Sequence, residues 1–217
     1  MARGMKLSLS DGTKVSALLD GRRGGPLLVL AHGAGADMRN ALFDGFAAGL
    51  AATGVACFRF NFAFTEAGKK GPDREPLLRD AWRAAYERAG DLGTPVWAGG
   101  KSLGGRIASM MAADAEIDPA GLVFVGYPLH PPGRPERIRD EHLYRVRVPM
   151  LFLQGTSDPF AGRDLLGSVI DKLGDAATLH PVEGGDHSFR VRGTKKDDVG
   201  TGTALGEAAA RFILGSG

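Results

Sequence analysis

Two short segments in which apolar and polar residues alternate open the chain, at residues 5–10 and 13–20. Asp11 and Gly12 stand between them. An Asp-Gly pair between alternating segments is a strong signal for a tight turn between two strands. The pattern therefore predicts an antiparallel hairpin at the start of the chain.

Short apolar runs follow the hairpin. Each run is nearly continuous in apolar character and is bounded by Gly, Pro or Asp, which is typical of strands buried on both faces of a sheet. The predicted strands are residues 27–31, 55–62, 95–98, 122–127, 150–154 and 177–182.

Segments with the helical spacing of apolar residues separate most of these strands. They are residues 38–52, 76–89, 103–113, 163–173 and 203–214. Such alternation predicts an α/β fold, a mostly parallel sheet with helices on both faces and functional loops at the carboxyl ends of the strands. No linker divides the chain, so we expect one domain over residues 1–217. The stretches 64–75, 128–147 and 190–202 lack periodicity and are predicted to be rim or lid loops.

Composition and charge exclude several classes of protein. The chain is 43% hydrophobic and 24% charged, as ordinary globular proteins are. The net charge of +2 is small and the basic residues are scattered, so the sequence shows no clustered basic patch of the kind that binds nucleic acid. No apolar stretch approaches a membrane span, and residues 1–12 lack the apolar core of a signal peptide. We expect a cytoplasmic protein without a membrane or nucleic-acid partner, and the oligomeric state stays open.

The pentapeptide Gly-Lys-Ser-Leu-Gly at residues 100–104 lies between the predicted strand 95–98 and the predicted helix 103–113. In this setting G-x-S-x-G marks a nucleophile elbow, a tight turn that projects a serine hydroxyl above the sheet. Side chains at positions 100 and 104 would collide across so sharp a turn, and glycine avoids the collision. The motif predicts Ser102 as a nucleophile.

Two phosphate-binding motifs partly match residues 33–35 and 100–102, but neither motif is complete. A P-loop would need a glycine where Pro95 stands. A dinucleotide-binding motif that begins at Gly33 would need its third glycine where Met38 stands. Neither motif therefore competes with the elbow.

A serine nucleophile needs a neighbouring base, and five histidines are available. His187 follows the last predicted strand in a glycine-rich loop, and we assign it as the general base. His130 also follows a strand directly and is its main rival, with a possible place in the substrate pocket. The other three, His32, His142 and His180, are interpreted as structural.

The base in turn needs a group that orients it. Asp158 lies just past the strand 150–154, where an orienting carboxylate is required, although a turn residue before proline is the alternative interpretation. Asp186, beside His187, is an alternative partner. The order Ser102, Asp158, His187 is that of the α/β-hydrolase fold.

The chain resembles the small serine hydrolases of that fold, and most closely the dienelactone-hydrolase-like group. Within that group it resembles the branch that includes a subunit of a eukaryotic histone-acetyltransferase complex. The resemblance covers nearly the whole chain. The phrases that carry it are AHGAGA at 31–36, RFNF at 59–62, GGKSLGGRIAS at 99–109, GYPLHPPGRPE at 126–136, QGTSDPF at 154–160 and GDHSF at 185–189.

This resemblance implies an oxyanion hole made by two backbone N–H groups, those of Leu103 and Ala34. Dienelactone hydrolases proper use a cysteine nucleophile, whereas position 102 is serine, so their lactone substrate is not carried over. The chain is too short for a large cap domain. A mechanism of this kind needs no metal and no organic cofactor.

An uncapped site suits small or exposed carboxylic esters or thioesters. Three phenylalanines beside strand ends are candidates for an acyl pocket, together with His130: Phe62, Phe160 and Phe189. Four arginines are candidates for binding a substrate carboxylate, with solvated surface charge as the alternative: Arg59, Arg134, Arg137 and Arg139. A binding or scaffold protein that keeps the fold without turnover is the second class of function.

Overall fold

The computed structural model describes residues 2–215, so Met1 and residues 216 and 217 of the expected domain lie outside it. One eight-stranded sheet runs in the order β1-β2-β4-β3-β5-β6-β7-β8. The strands are β1 Arg3–Ser8, β2 Lys14–Asp20, β3 Leu27–Ala31, β4 Ala56–Phe60, β5 Val96–Lys101, β6 Leu122–Val125, β7 Met150–Gly155 and β8 Ala177–Val182. The helices are α1 Ala41–Ala52, α2 Ala63–Glu66, α3 Glu75–Gly90, α4 Leu103–Ala113, α5 Arg163–Leu173 and α6 Asp198–Gly215.

The first two strands form the predicted antiparallel hairpin, and β2 continues antiparallel onto β4. The remaining pairs are parallel. At the hairpin turn the Asp11 carboxylate accepts the N–H of Thr13 at 2.8 Å, and Gly12 has a φ of +84°. The tight turn predicted at Asp11 and Gly12 is therefore confirmed.

Alternate residues of each parallel strand supply two separate cores. On β3, Leu28 and Leu30 pack on the face covered by α1 and α6. Leu27 and Val29 point to the other face, which α3, α4 and α5 cover. Both faces of the sheet are thus buried, which is why the central strands are apolar throughout.

Helices α1 and α6 pack backbone to backbone through glycines. Gly45 and Gly49 on α1 face Gly202 and Gly206 on α6. A Cβ on Gly49 would overlap the carbonyl oxygen of Thr203, and one on Gly206 would overlap that of Phe46. This close approach requires glycine at each of these positions.

Several elements differ from the sequence prediction. Strand β5 extends through the glycines to Lys101, and α6 begins at Asp198 instead of at residue 203. The stretches without periodicity contain the short helix α2 and a 3-10 turn at Leu143–Arg145. No helix within residues 2–215 is long and apolar enough to cross a membrane.

Arg59 is neither a surface residue nor free to bind a substrate, so that expectation was wrong. Its side chain is 3% exposed. The guanidinium donates to Asp20 at 2.9 Å, to Asp44 at 2.7 Å and to the carbonyl of Met38 at 2.9 Å. The residue ties β2 and α1 to β4, because a buried charge requires such partners.

Candidate active site

Ser102 stands at the tight turn between β5 and α4. Its φ of 51° and ψ of −113° lie outside the regions that side-chain-bearing residues ordinarily adopt. A Cβ on Gly100 would lie 2.8 Å from the carbonyl carbon of Gly104 and would overlap the carbonyl oxygen of Ala31. The collision expected from the sequence is therefore real, and the turn has the geometry of a nucleophile elbow.

His187 and Asp158 meet above the ends of β7 and β8. The His187 Nδ1–H donates to Asp158 Oδ2 at 2.7 Å. The Asp158 side chain is fully buried, and its other oxygen accepts the N–H of Phe160 at 2.8 Å. A buried carboxylate held in this way fixes both the tautomer and the orientation of the imidazole.

The remaining ring nitrogen of His187 is unengaged. No hydrogen bond from residues 2–215 reaches Nε2, and the side chain is 21% exposed. The Phe160 ring packs against the imidazole with 4.4 Å between centroids. The free nitrogen is available to accept a proton, while Asp158 and Phe160 restrict rotation of the ring.

Gln154 is a site residue that the sequence reasoning missed. Its amide is buried at the end of β7, donates to Asp158 Oδ2 at 2.6 Å and accepts the N–H of Tyr127 at 2.7 Å. The amide thus couples the carboxylate to the chain just after β6. A polar residue that closes an otherwise apolar run was the available signal.

His32 is a structural residue, as expected. It is fully buried, its Nδ1–H donates to the Gly33 carbonyl at 2.8 Å, and its Nε2 accepts the N–H of Phe62 at 3.1 Å. Burial lowers the pKa of His32 and favours the neutral ring that these two bonds require. A Cβ on Gly33 would lie 3.5 Å from the Cβ of Ser102, so this loop abuts the elbow.

The two N–H groups expected to form an oxyanion hole are both unengaged. Neither the Ala34 N–H nor the Leu103 N–H makes a hydrogen bond within the part of the chain that the structure describes. Leu103 begins α4, where the first N–H groups have no partner within the helix. One of these donors directly follows Ser102 and the other lies in the loop that abuts the elbow, so both stay candidates for an oxyanion hole.

Lys101, directly before Ser102, was also missed by the sequence reasoning. Its ammonium donates to the main-chain carbonyl of His187 and lies 5.7 Å from the centroid of the Phe189 ring. Burial lowers the pKa of Lys101 to about 8, against the opposing attraction of the Asp158 and Asp186 carboxylates. A direct contact therefore joins the elbow to the histidine loop.

The alternative base His130 and the alternative carboxylate Asp186 have other hydrogen-bond partners. His130 is buried, and its Nδ1–H donates to the Pro131 carbonyl at 2.9 Å. The Asp186 carboxylate accepts the N–H groups of Ser188 at 2.7 Å and Arg190 at 2.9 Å. Asp186 therefore shapes the loop, and Asp158 is the carboxylate bonded to the imidazole.

The three candidate pocket phenylalanines differ in exposure. Phe62 has no exposed surface and packs edge-on against His32, so it supports the loop and lines no open pocket in this structure. Phe189 is 3% exposed. Phe160 is partly exposed beside His187.

A cavity of about 210 Å³ opens beside the elbow and borders Gly33, Lys101, Ser188 and Arg190. Its walls therefore include neighbours of both Ser102 and His187. A larger cavity of about 890 Å³ lies at the far end of α4, between residues 112–119 and 144–148, and touches no candidate site residue. The smaller cavity is a candidate to receive part of a substrate, as is a cavity of about 380 Å³ that borders Ala34, Phe64 and Thr65.

The chain belongs to the family described as alpha/beta hydrolase domain, whose model matches residues 24–213. Solved structures share its fold. An esterase domain from a Rhodothermus marinus protein is 14% identical, covers all of both chains and has a TM-score of 0.75. An α/β serine hydrolase without lid from Xanthomonas campestris is 20% identical over 97% of this chain and 94% of its own, with a TM-score of 0.73.

A dienelactone hydrolase from Anabaena variabilis is 18% identical over 99% of this chain and 97% of its own, with a TM-score of 0.74. Likeness at these identities concerns the fold. The predicted α/β-hydrolase fold is confirmed, with its mostly parallel sheet and N-terminal hairpin. The protein is a member of a hydrolase family with structural neighbours in the dienelactone-hydrolase-like group.

Proposed function

We propose that this protein is a serine hydrolase that cleaves small carboxylic esters or thioesters. The observation that carries the proposal is the 2.7 Å bond between His187 and the buried Asp158, at the same edge of the sheet as the Ser102 elbow. A serine, a histidine and a carboxylate, which suit the roles of nucleophile, base and orienting group, converge there from three separate strand ends. Such convergence is the arrangement that nucleophilic acyl transfer requires.

In the proposed reaction the Ser102 oxygen attacks the substrate carbonyl carbon and its proton passes to His187 Nε2. The N–H groups of Ala34 and Leu103 stabilise the tetrahedral oxyanion. The bond from the carbonyl carbon to the leaving oxygen or sulfur then breaks, and His187 gives its proton to the leaving group. Water, activated by the same imidazole, attacks the acyl enzyme and releases the acid and free Ser102.

The substrate is a small molecule in this proposal. The cavities that border Gly33 and Ala34 hold about 210 Å³ and about 380 Å³, at or below the low end of the ordinary range for drug-sized ligands. Phe160, partly exposed beside His187, supplies an apolar contact. These features favour short acyl or alcohol groups, and no step needs a metal or an organic cofactor.

The second candidate is a binding or scaffold protein with this fold and without turnover, in line with the resemblance to a subunit of a histone-acetyltransferase complex. The observation on its side is that no hydrogen bond joins the Ser102 hydroxyl to His187 within residues 2–215. Catalytic hydrogen bonds are often long before substrate binds, so we favour the enzyme. The cytoplasmic location stays a prediction.

Labelling with a fluorophosphonate separates the two candidates, because only an activated serine is phosphonylated quickly. We expect rapid labelling of the wild-type protein at Ser102, identified by peptide mass, and none of Ser102→Ala. A panel of 4-nitrophenyl esters and acyl thioesters of increasing acyl length then ranks the substrates. A folded wild-type protein that is neither labelled nor active on any ester or thioester would exclude the hydrolase.

A further inference from the structure

The Lys101 ammonium links the nucleophile to the proposed base. Lys101 is the last residue of β5 and the immediate neighbour of Ser102. Its Nζ donates to the carbonyl oxygen of His187, in the loop after β8. One side chain thus sets the position of the His187 backbone relative to the elbow.

The surroundings of this ammonium are unusual for a lysine. The residue is partly buried, and no carboxylate in the described residues lies within ion-pair distance of Nζ. The Phe189 ring lies 5.7 Å away, within the range of a cation–π contact. A partly buried ammonium without an ion pair costs free energy, which its contacts with the His187 carbonyl and the Phe189 ring offset.

Gly126, just after β6, leaves the space that the ammonium occupies. It has a φ of +67°, and a Cβ there would lie 2.9 Å from Lys101 Nζ and 3.6 Å from His187 Nδ1. A side chain at this position would displace the lysine ammonium. Three strand ends therefore meet around one cation.

We infer that Lys101 is a positioning residue, whose charged side chain holds the His187 loop in register with Ser102 and so sets an alkaline limit to activity. The inference deepens the proposed function and rests on it. Lys101 touches neither the scissile bond nor the Ser102 hydroxyl in this role. Its effect reaches the reaction through the location of the imidazole, and a displacement of 1 Å is enough to cost about 10²-fold in rate.

The alkaline limit follows from the burial that lowers the pKa of Lys101 to about 8. Above that pH the amine becomes neutral, donates more weakly to the His187 carbonyl and loses its attraction to Asp158 and Asp186. The other charged or titratable groups that face it are these two carboxylates, the His187 imidazole, and Arg190 and Asp198, which border the same cavity as Lys101, while Gly126 adds none. Loss of a proton from the His187 imidazole would free the base and raise activity, whereas loss of the ammonium charge loosens the His187 loop, so the decline is assigned to the lysine.

The test measures kcat and KM for 4-nitrophenyl acetate from pH 7 to 9.5 in four proteins: wild type, Lys101→Met, Lys101→Arg and Lys14→Met. Lys14 is an exposed lysine at the start of β2 and serves as the matched control. We expect wild-type kcat to fall above about pH 8. In Lys101→Met we expect kcat at pH 7 to be lower by roughly 10- to 100-fold, a loss larger than any change in KM, and the alkaline decline to vanish.

Lys101→Arg keeps the charge, so it should move the decline to higher pH and retain more activity than Lys101→Met. Lys14→Met should match the wild type. An active wild type together with a Lys101→Met protein of equal kcat, or one that keeps the alkaline decline, overturns the inference and leaves the hydrolase standing. A wild-type protein with no turnover and no fluorophosphonate labelling would instead overturn the proposed function. If Lys101→Met does not fold, a wild-type kcat that stays level from pH 7 to 9.5 overturns the inference.

Discussion

The Ser109 hydroxyl lies 2.8 Å from His142 Nε2, and together with the Tyr127 hydroxyl it forms a second serine–histidine cluster in this protein. Ser109 is fully buried inside α4, and its hydroxyl donates to the carbonyl of Arg106 at 2.8 Å. No substrate can reach it. The cluster ties the segment 128–147 to α4, so direct contact between a serine and a histidine does not by itself mark the active centre.

Ser102→Ala should abolish ester hydrolysis, because the attacking oxygen is removed. Loss of a triad nucleophile costs on the order of 10⁶ in kcat. Ser109→Ala is the matched control, with activity retained and a lower melting temperature, because Tyr127 and His142 lose a buried partner. Hydrolysis of 4-nitrophenyl acetate and thermal melting measure both effects, and the opposite pattern would make Ser109 the relevant serine.

The two candidate bases can be ranked by substitution. His187→Ala should be nearly as damaging as the loss of Ser102, whereas His130→Ala should lose far less, because His130 is bonded to Pro131. Steady-state kinetics on folded protein give the ranking. A larger loss in His130→Ala would mean that the segment after β6 carries the base.

The two candidate carboxylates differ in the same way. Asp158→Asn should lower kcat roughly 10⁴-fold, because an amide favours the wrong imidazole tautomer. Asp186→Asn should lose much less, since Asp186 caps its own loop through the N–H groups of Ser188 and Arg190. Equal losses in the two variants would show that the 2.7 Å bond to His187 is not what orients the ring.

Gly206→Ala should lower the free energy of unfolding by about 1–3 kcal/mol, because the new Cβ would overlap the backbone of Phe46 and force α1 and α6 apart. Gly167→Ala, on α5, is the control. A Cβ there meets nothing within 4 Å, so the better helix propensity of alanine should stabilise the protein by roughly 0.5–1 kcal/mol. Urea denaturation measures both, and equal signs would contradict the close packing.

His142 should make the protein sensitive to acid. Burial, helped by Arg106 and Arg145, lowers the pKa of His142 from 6.5 to about 4. Between these two pH values the unfolded chain binds a proton that the folded protein does not, so stability falls as pH decreases through this window. The loss is on the order of 2 kcal/mol for a partly buried group.

Urea denaturation of wild type and His142→Gln at pH 7 and pH 4.5 isolates this contribution, because all other groups titrate in both proteins. His142→Gln should be less stable at pH 7, where it lacks the imidazole contacts, and should lose less between the two pH values. Parallel losses in the two proteins would show that His142 does not control the acid response.

The sequence predicts elements well where local pattern and packing agree. Helix α4 and strand β8 begin and end where their spacing indicates. The start of α6 was misplaced because Gly200 and Gly202 look like helix breakers, although Gly202 is required by contact with α1. Strand β5 was predicted too short for a similar reason. Its glycines are required by close contacts with neighbouring strands, and no local sequence pattern reveals those contacts.

The candidate site residues also differ in whether their roles follow from a local sequence pattern or from tertiary contacts. Ser102, Asp158 and His187 follow strand ends and short motifs, so their types and order could be recognised. The role of Lys101 could not be recognised, because it depends on which loops meet in space, and Gln154 offered only the signal of a polar residue at the end of an apolar run.

The glycine contact between α1 and α6 also has a consequence for synthesis. During translation the apolar face of α1, with Phe43, Phe46 and Leu50, leaves the ribosome long before α6 exists to cover it. One side of the growing sheet must then stay open until residues 198–215 emerge. The nascent chain is thus exposed to aggregation between the synthesis of α1 and that of α6, and chaperones that shield apolar surface should associate with it until α6 docks.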